Sequence, residues 1–405
     1  MKKSMEVKPK IETFARIKVM GVGGSGTTAV SRMAELGIKG VEFISVNTDA
    51  QALHNNTADK KVHIGKSITK GLGSGMNPEL GRQAAEESQE EIEEVISNAD
   101  MVFITCGLGG GTGTGAAPIV AELAKNRDIL TIAVVTKPFT FEGSKRKEIA
   151  EAGYENLKDK VDAIISIQND RILQIIDKKT SLIDAFKTVD EVLRQGIAGI
   201  SDLITTHGVV NADFADIRTI MQDAGTAMMG IGRASGEGRA EIAAKAAINS
   251  PLLDMTIDGA QGVLFNITGG SDIGMFEIDE AARVITKNVD SEARVKFGTV
   301  IDETMGDEIR ITVIATGFDE HNRRPSSINF APVHEEAPKP FITPSHTPTV
   351  NPIVTVEEEE APPRQEIRKP LFSPRPADPV PQASNTDDMD DDELDIPAFI
   401  RKKMK

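Results

Sequence analysis

The chain has 405 residues, a mass of 43.5 kDa and a formal net charge of -16, too long for one ordinary core and too acidic for a nucleic-acid binder. Its single cysteine, Cys106, excludes an internal disulfide framework and points to a reducing compartment, the cytoplasm. The start, MKKSMEVKPK, lacks the apolar stretch of a secretory signal. The longest uncharged run, Met101 to Ala121, holds six glycines and Pro118 and is too broken for a membrane span, so a soluble protein without direct membrane insertion is expected.

Residues 1–12 read as a mobile N-terminal segment. An apolar strand, Ile17 to Met20, then runs into Gly21-Val22-Gly23-Gly24-Ser25-Gly26 and a helix from Thr27 to Leu36 that Gly37 ends. The loop has the G-x-G-x-x-G spacing, and Asp49 stands 23 residues beyond Gly26, where a dinucleotide fold places a ribose acid. Small residues there let backbone N–H groups approach a phosphate at the positive end of the helix. A strand from Val41 to Val46 follows. The strand from Met101 to Thr105 ends in a second loop, Gly107-Leu108-Gly109-Gly110-Gly111-Thr112-Gly113-Thr114-Gly115, and a helix opening at Ala116 with Pro118 in its first turn. Six of these nine positions lack a Cβ and two carry hydroxyls, a combination suited to wrapping a polyphosphate. It is not a Walker A loop, because the one G-K-S, Gly65 to Ser67, has Lys60 in place of that motif's first glycine. Two cradles suggest a nucleoside triphosphate rather than a dinucleotide.

Strands from Leu130 to Thr136 and Ala163 to Ile167 complete an alternation that predicts a mostly parallel sheet covered by helices on both faces, a Rossmann-like α/β fold. From Ser181 to Ile204 apolar residues, among them Leu182, Ile183, Phe186, Val189 and Leu193, keep helical spacing for over six turns, a long buried helix able to join two domains. Strands at Val263 to Thr268, Glu292 to Val300 and Ile309 to Ala315 around a helix from Asp279 to Thr286 read as a smaller α/β unit. All 35 glycines lie at or before Gly317, whereas 15 of the 20 prolines lie after it. That glycine-free, proline-dense region cannot bury enough apolar surface to fold alone. Seven acids between Asp387 and Asp395 then give way to Ile396, Phe399 and Ile400 on one helical face, with Asp395 as N-cap, Pro397 in the first turn and Arg401 at the basic end. This reads as a docking peptide that folds in a partner's groove.

GGGTGTG from Gly109 to Gly115, with NTDAQAL, KPFTFEGSKR, NADFADIRTIM and the terminal DIPAFIRK, resembles the tubulin/FtsZ family of bacterial cell-division GTPases. The likeness runs from about Ala15 to Gly317 and resumes at the C-terminal peptide. It implies a GTP-binding domain with its central helix at 13–208, a C-terminal α/β domain carrying the catalytic loop at 209–317, a disordered linker at 318–386 and a partner-binding peptide at 387–405. It implies that Gly24, Ser25, Gly26, Thr27 and Thr28, with Gly110, Gly111, Thr112, Gly113 and Thr114, hold the phosphates of GTP or GDP. Thr28 stands where the family commonly has an asparagine that contacts the nucleoside. The resemblance gives Glu142 and Arg146 to ribose and phosphate, Asn169 and Asp190 to the guanine edge, and Phe186 to stacking on the base. It also implies that Asn211, Asp213 and Asp216 act in trans on the neighbouring subunit's nucleotide. Mg2+ would be held mainly by phosphates and water, with no protein metal site. The expected partners are further copies of this chain, head to tail in a septal ring at midcell, and division adaptors such as the actin-like FtsA on the terminal peptide; nucleic acid is not expected.

Each of these residues also has a plainer reading. Glu142 and Arg146 are spaced as an ordinary i,i+4 surface pair, Phe186 fits the apolar stripe of the long helix, and Asp213 and Asp216 suit an N-cap and a first-turn acid. Two other functions compete. An NAD-dependent oxidoreductase would use Gly21 to Gly26 and Asp49, but leaves the second loop unexplained and has no histidine in the motifs. A nucleotide-binding polymer scaffold without hydrolysis would not need Asp213 and Asp216.

Overall fold

The computed structural model describes residues 15–318, except 39, 178, 207–209, 211, 254–255 and 288. The N-terminal segment, the linker, the terminal peptide with Asp395, Ile396, Pro397, Phe399, Ile400 and Arg401, and Asn211 lie outside the described residues.

Chain order places β1 (Ile17–Val22), α1 (Gly23–Leu36), β2 (Val41–Asn47), α2 (Ala50–His54), β3 (Lys60–His63), α3 (Lys66–Thr69), α4 (Pro78–Glu87) and α5 (Gln89–Ile96) first. Then come β4 (Met101–Gly107), α6 (Thr112–Lys125), β5 (Leu130–Lys137), α7 (Ser144–Lys158), β6 (Ala163–Gln168), α8 (Asn169–Ile172) and α9 (Leu182–Thr205). The remainder is α10 (Phe214–Met221), β7 (Gly225–Ser235), α11 (Arg239–Ile248), β8 (Gly262–Gly269), α12 (Met275–Thr286), β9 (Arg294–Ile301) and β10 (Glu308–Thr316). The strands form one ten-stranded sheet in the order β3-β2-β1-β4-β5-β6-β7-β10-β8-β9. From β3 to β7 every pairing is parallel; β10 pairs antiparallel with both β7 and β8, and β9 returns parallel to β8.

The apolar runs explain the parallel part. Successive residues of each strand feed opposite cores: Val19, Phe103 and Val134 face α1 and α9, whereas Met20, Ile104 and Val135 face α4 to α7. With both faces covered, the central strands β1, β4 and β5 need no exposed polar alternation, and all their residues but Gly107 and Lys137 are buried. The long helix α9 packs Val189, Leu193, Ile197, Ile200 and Leu203 into a core that also holds Ile165, Leu264 and Ile314, so one helix touches both halves of the sheet. Among the described residues no helix is long and apolar enough to cross a membrane.

Several local expectations need correction. Both glycine loops are already helical: α1 begins at Gly23 and α6 at Thr112, leaving Pro118 inside α6 instead of in its first turn. Tolerance of proline in a first turn suggests the later start, but close contact with the turn before α4 and with α4 itself accompanies the earlier one. A Cβ on Gly111 would meet Ser74 Oγ at 2.3 Å, and one on Gly115 the carbonyl oxygen of Pro78 at 1.9 Å. The first turn of α9 is not buried; Leu182 and Ile183 are 61% and 65% exposed. Two strands were not anticipated, the edge strand β3 and the long β7. In β7, Gly230 and Gly232 break the apolar pattern because a Cβ on either would sit 2.0 Å from a carbonyl of α11.

Candidate nucleotide site

The strand order reverses between β1 and β4, neighbours whose connections leave in opposite directions, and ligands of open α/β sheets bind at the carboxyl ends of such strands. The two glycine-rich loops follow these two strands. They are in contact: Ser25 Oγ accepts a 2.9 Å hydrogen bond from the Gly107 N–H, and a Cβ on Gly23 would lie 2.6 Å from the amide nitrogen of Gly113. A Cβ on Gly26 would meet the Thr105 carbonyl at 2.4 Å. Only glycine allows β1, β4 and their loops to close this tightly. By contrast, a Cβ on Gly24 or Gly110 would meet nothing within 4 Å, so these two glycines face open space.

Beside them lies a cleft of about 190 Å³. Of the residues expected from the sequence, Ser25, Gly26, Glu142, Arg146, Asn169, Phe186 and Asp190 line it. Thr105, Cys106, Thr136, Pro138 and Leu193 also line it and were not anticipated, since they are strand ends and helix positions without a local signal. Gly24, Thr27, Thr28, Gly110, Gly111, Thr112, Gly113 and Thr114 are not among its lining residues. The hydroxyls of the last group work within the protein. Thr27 and Thr28 both donate to the Gly24 carbonyl, at 3.0 and 2.9 Å; Thr112 Oγ1 lies 2.7 Å from Thr48 Oγ1 and 2.8 Å from Ser74 Oγ; and Thr114 Oγ1 accepts from the Gly109 N–H.

The polar side chains of the cleft are oriented by neighbours. Glu142 accepts from the Phe139 N–H at 2.9 Å and pairs with Arg146 at 3.0 Å, so the i,i+4 pair exists and lies in the cleft wall. Asp190 on α9 is paired with Arg32 on α1, a partner the sequence reading missed because the two residues are brought together only by packing of the helices. Phe186 is 38% exposed, edge-on to Phe139 with ring centroids 5.6 Å apart, so it belongs to the cleft rim instead of the buried stripe. Burial pushes the Cys106 thiol up to about 12, the setting of a structural thiol packed in the core.

Three buried atoms of the lining, Asn169 Oδ1, Arg146 Nε and Thr105 Oγ1, have no hydrogen-bond partner. Orphaned buried polar atoms are costly and uncommon, and three of the six found among the described residues line this one cleft, a setting suited to a polar ligand. Asp49, the candidate ribose acid, is occupied as the N-cap of α2, accepting from the Gln51 and Ala52 N–H groups.

Asp213 and Asp216 are elsewhere. Asp213 is the N-cap of α10, its carboxylate accepting from the Asp216 N–H at 2.7 Å, and Asp216 is a first-turn acid, as their plainer reading expects. Neither lines the cleft of its own chain. Among the described residues no cluster of three His, Cys, Asp or Glu side chains is placed to hold a metal ion.

A doubly covered parallel sheet with two glycine-rich turns and orphaned polar atoms at its switch point defines a nucleoside-phosphate-binding α/β protein. The family description "Tubulin/FtsZ family, GTPase domain" matches residues 16–177, and "FtsZ family, C-terminal domain" matches residues 225–319. An empty FtsZ dimer from M. jannaschii is 45% identical, with a TM-score of 0.73 over 76% of this chain and 90% of that one; a mutant form of the same FtsZ matches equally well, covering 75% and 91%. CetZ2 from Haloferax volcanii, solved as a GTPγS-bound protofilament, shares the fold at 23% identity and a TM-score of 0.63, over 74% of this chain and 92% of that chain. The chain belongs to the tubulin/FtsZ family and carries its GTPase domain, with the GTP and GDP binding and GTP hydrolysis which that domain supports.

Proposed function

We propose that this protein is a GTP-dependent, filament-forming cytoskeletal GTPase of cell division whose active site is completed between subunits. The observation that carries the reading is a separation: the cleft with its orphaned polar atoms lies at the β1–β4 switch point, while Asp213 caps, and Asp216 stands in the first turn of, a helix that does not line it. The relatives include an FtsZ dimer and a CetZ2 protofilament. The FtsZ relatives come from M. jannaschii, and in this reading the division role is not confined to bacteria.

In this reading residues 13–208 bind GTP and residues 209–317 present the catalytic loop. The open backbone at Gly24 and Gly110, backed by Ser25, Gly26, Thr27, Thr28, Gly111, Thr112, Gly113 and Thr114, receives the phosphates. Glu142 and Arg146 hold ribose and phosphate. Asn169 and Asp190 provide the amide and carboxylate that guanine's O6 and N1–H/N2–H edge requires, and Phe186 stacks on the base. Mg2+, held mainly by phosphates and water, would supply charge neutralisation when bound. Asn211, Asp213 and Asp216 reach the next subunit's nucleotide, where the carboxylates orient the attacking water. Carboxylates fixed permanently beside a triphosphate would weaken its binding; supplying them from a neighbour couples hydrolysis to assembly. A heterologous, head-to-tail contact of this kind that does not close produces a filament. The exposed apolar side chains Met275 and Phe276 at the start of α12, and Leu182 and Ile183 at the start of α9, suit burial in such contacts. The terminal peptide 387–405, tethered by the linker 318–386, would connect the filament to an adaptor of the FtsA type, placing it in a ring at midcell.

Hydrolysis per subunit, measured with Mg2+ across a range of protein concentrations alongside light scattering, is expected to be near zero below a threshold and to rise with scattering. A specific rate independent of concentration would place all catalytic groups in one chain. Replacing Phe186 by alanine is expected to weaken GTP binding to the monomer by about tenfold through lost stacking; calorimetry showing an unchanged Kd would remove Phe186 from the base contact. Deleting residues 387–405 is expected to leave GTP turnover intact and abolish co-sedimentation with the adaptor. Lost turnover would instead make the tail part of the folded core.

A further inference from the structure

Val210, shortly before α10, is held by β9. Val210 and Thr299 bridge: the Val210 N–H donates to Thr299 Oγ1 at 3.1 Å, and the Thr299 N–H donates to the Val210 carbonyl at 2.9 Å. The adjacent residue of the strand, Gly298, leaves room for this approach, since a Cβ there would lie 3.1 Å from the Val210 carbonyl oxygen and 2.3 Å from Leu203. Further along β9, Lys296 Nζ pairs with Asp216 Oδ1 at 2.8 Å. One strand thus holds Val210 and Asp216, on either side of Asp213.

The two acids are held differently. The Asp213 carboxylate caps α10. Asp216 has a short side chain at the first turn, and its carboxylate is directed by Lys296. The Lys296 ammonium is held above its ordinary value by the hydrogen bond to Asp216 and by the fields of Asp216 and Asp213, so the cation is retained. Lys296 is 47% exposed and Asp216 33% exposed, a setting in which an ion pair adds little to stability. What the pair does is fix a direction for the Asp216 carboxylate and offset one of the two negative charges of Asp213 and Asp216.

We propose that Lys296 is a positioning residue for hydrolysis, holding the Asp216 carboxylate in the orientation in which the neighbouring subunit's nucleotide receives it. This rests on the reading that Asp216 acts at the subunit junction. Lys296 does not line the nucleotide cleft of its own chain, so its removal acts on turnover in the polymer and not on GTP binding.

The test uses the full chain with Lys296→Met, which keeps most of the side-chain stem, and Lys296→Arg, which keeps the charge. GTP turnover per sedimented subunit is measured at saturating GTP and Mg2+, with GTP affinity of the monomer measured separately. Lys296→Met is expected to lower turnover by about tenfold, since misplacing a catalytic group by a fraction of an ångström has effects of this order. GTP affinity should stay unchanged, and Lys296→Arg should recover most of the rate. Wild-type turnover in the Lys296→Met polymer, or an equal loss in both variants, would overturn the proposal. If Lys296→Met does not sediment alone, it is copolymerised with the unsubstituted chain and its incorporation counted; turnover should fall in proportion to the incorporated fraction, and an unaffected rate overturns the proposal. An Asp216→Ala polymer run in parallel separates the two levels: full turnover there removes the underlying reading whatever Lys296 does.

Discussion

An Asp216→Ala substitution is expected to lower GTP turnover of the assembled protein by about a hundredfold or more, the range over which a positioned acid–base group acts, while leaving GTP binding by the monomer unchanged. The expectation follows from where Asp216 sits. Its carboxylate does not line the cleft that holds Ser25, Asn169, Phe186 and Asp190, so it contributes nothing to that chain's own affinity. It stands in the first turn of α10, pointed by Lys296 and beside the cap made by Asp213. Mixing Asp216→Ala with unsubstituted chains at fixed total concentration gives the sharper measurement. Turnover should fall with the fraction of variant although every chain still binds GTP. A variant that retains full turnover in its own polymer would sink the assignment of catalysis to this loop.

Replacing Gly115 by alanine is expected to destabilise the fold by about 3 kcal/mol, the upper end of the cost of forcing a methyl group into a packed contact. The added Cβ would lie 1.9 Å from the Pro78 carbonyl oxygen and 2.7 Å from the Arg82 amide nitrogen, both backbone atoms of α4 that cannot turn aside. Gly81 makes the reciprocal contact, its Cβ position 2.4 Å from the Gly111 carbonyl oxygen. Urea unfolding would show the loss as a lower midpoint with an unchanged slope. Gly110→Ala serves as the control: it faces open space, so stability should hold. A Gly115→Ala chain as stable as its parent would mean that α4 and α6 can separate without cost.

Much of the fold was legible because the residues that form it speak locally. The strands at 17, 41, 101, 130 and 163 are short apolar runs that end in turn-forming residues, and their burial on both faces is what such runs require. The capping role of Asp213 was equally local, and Ser181 caps α9 in the same way. The strand β7 was not legible, since its glycines serve contact with α11 and weaken the pattern that would announce a strand. At the candidate site, the glycine spacing marked two tight turns at the ends of β1 and β4 but not how the glycines divide their work. Gly24 and Gly110 are open, Gly23 and Gly26 close one loop against the other strand, and Gly111 and Gly115 seat α6 on α4. Arg32 as partner of Asp190, and Lys296 as partner of Asp216, had no signal at all.

The sequence by itself determined the alternation of strands and helices, the two glycine-rich turns and the family, because these depend on periodicity, turn chemistry and motif order within short windows. Only the tertiary structure decided that Asn169, Arg146 and Thr105 leave polar atoms unpaired in one cleft, that Phe186 stands at its rim, and that Asp213 and Asp216 lie outside it. Those are facts about residues far apart in the chain, and they are set by strand order and by which side chains the packing of helices on the sheet leaves without a partner.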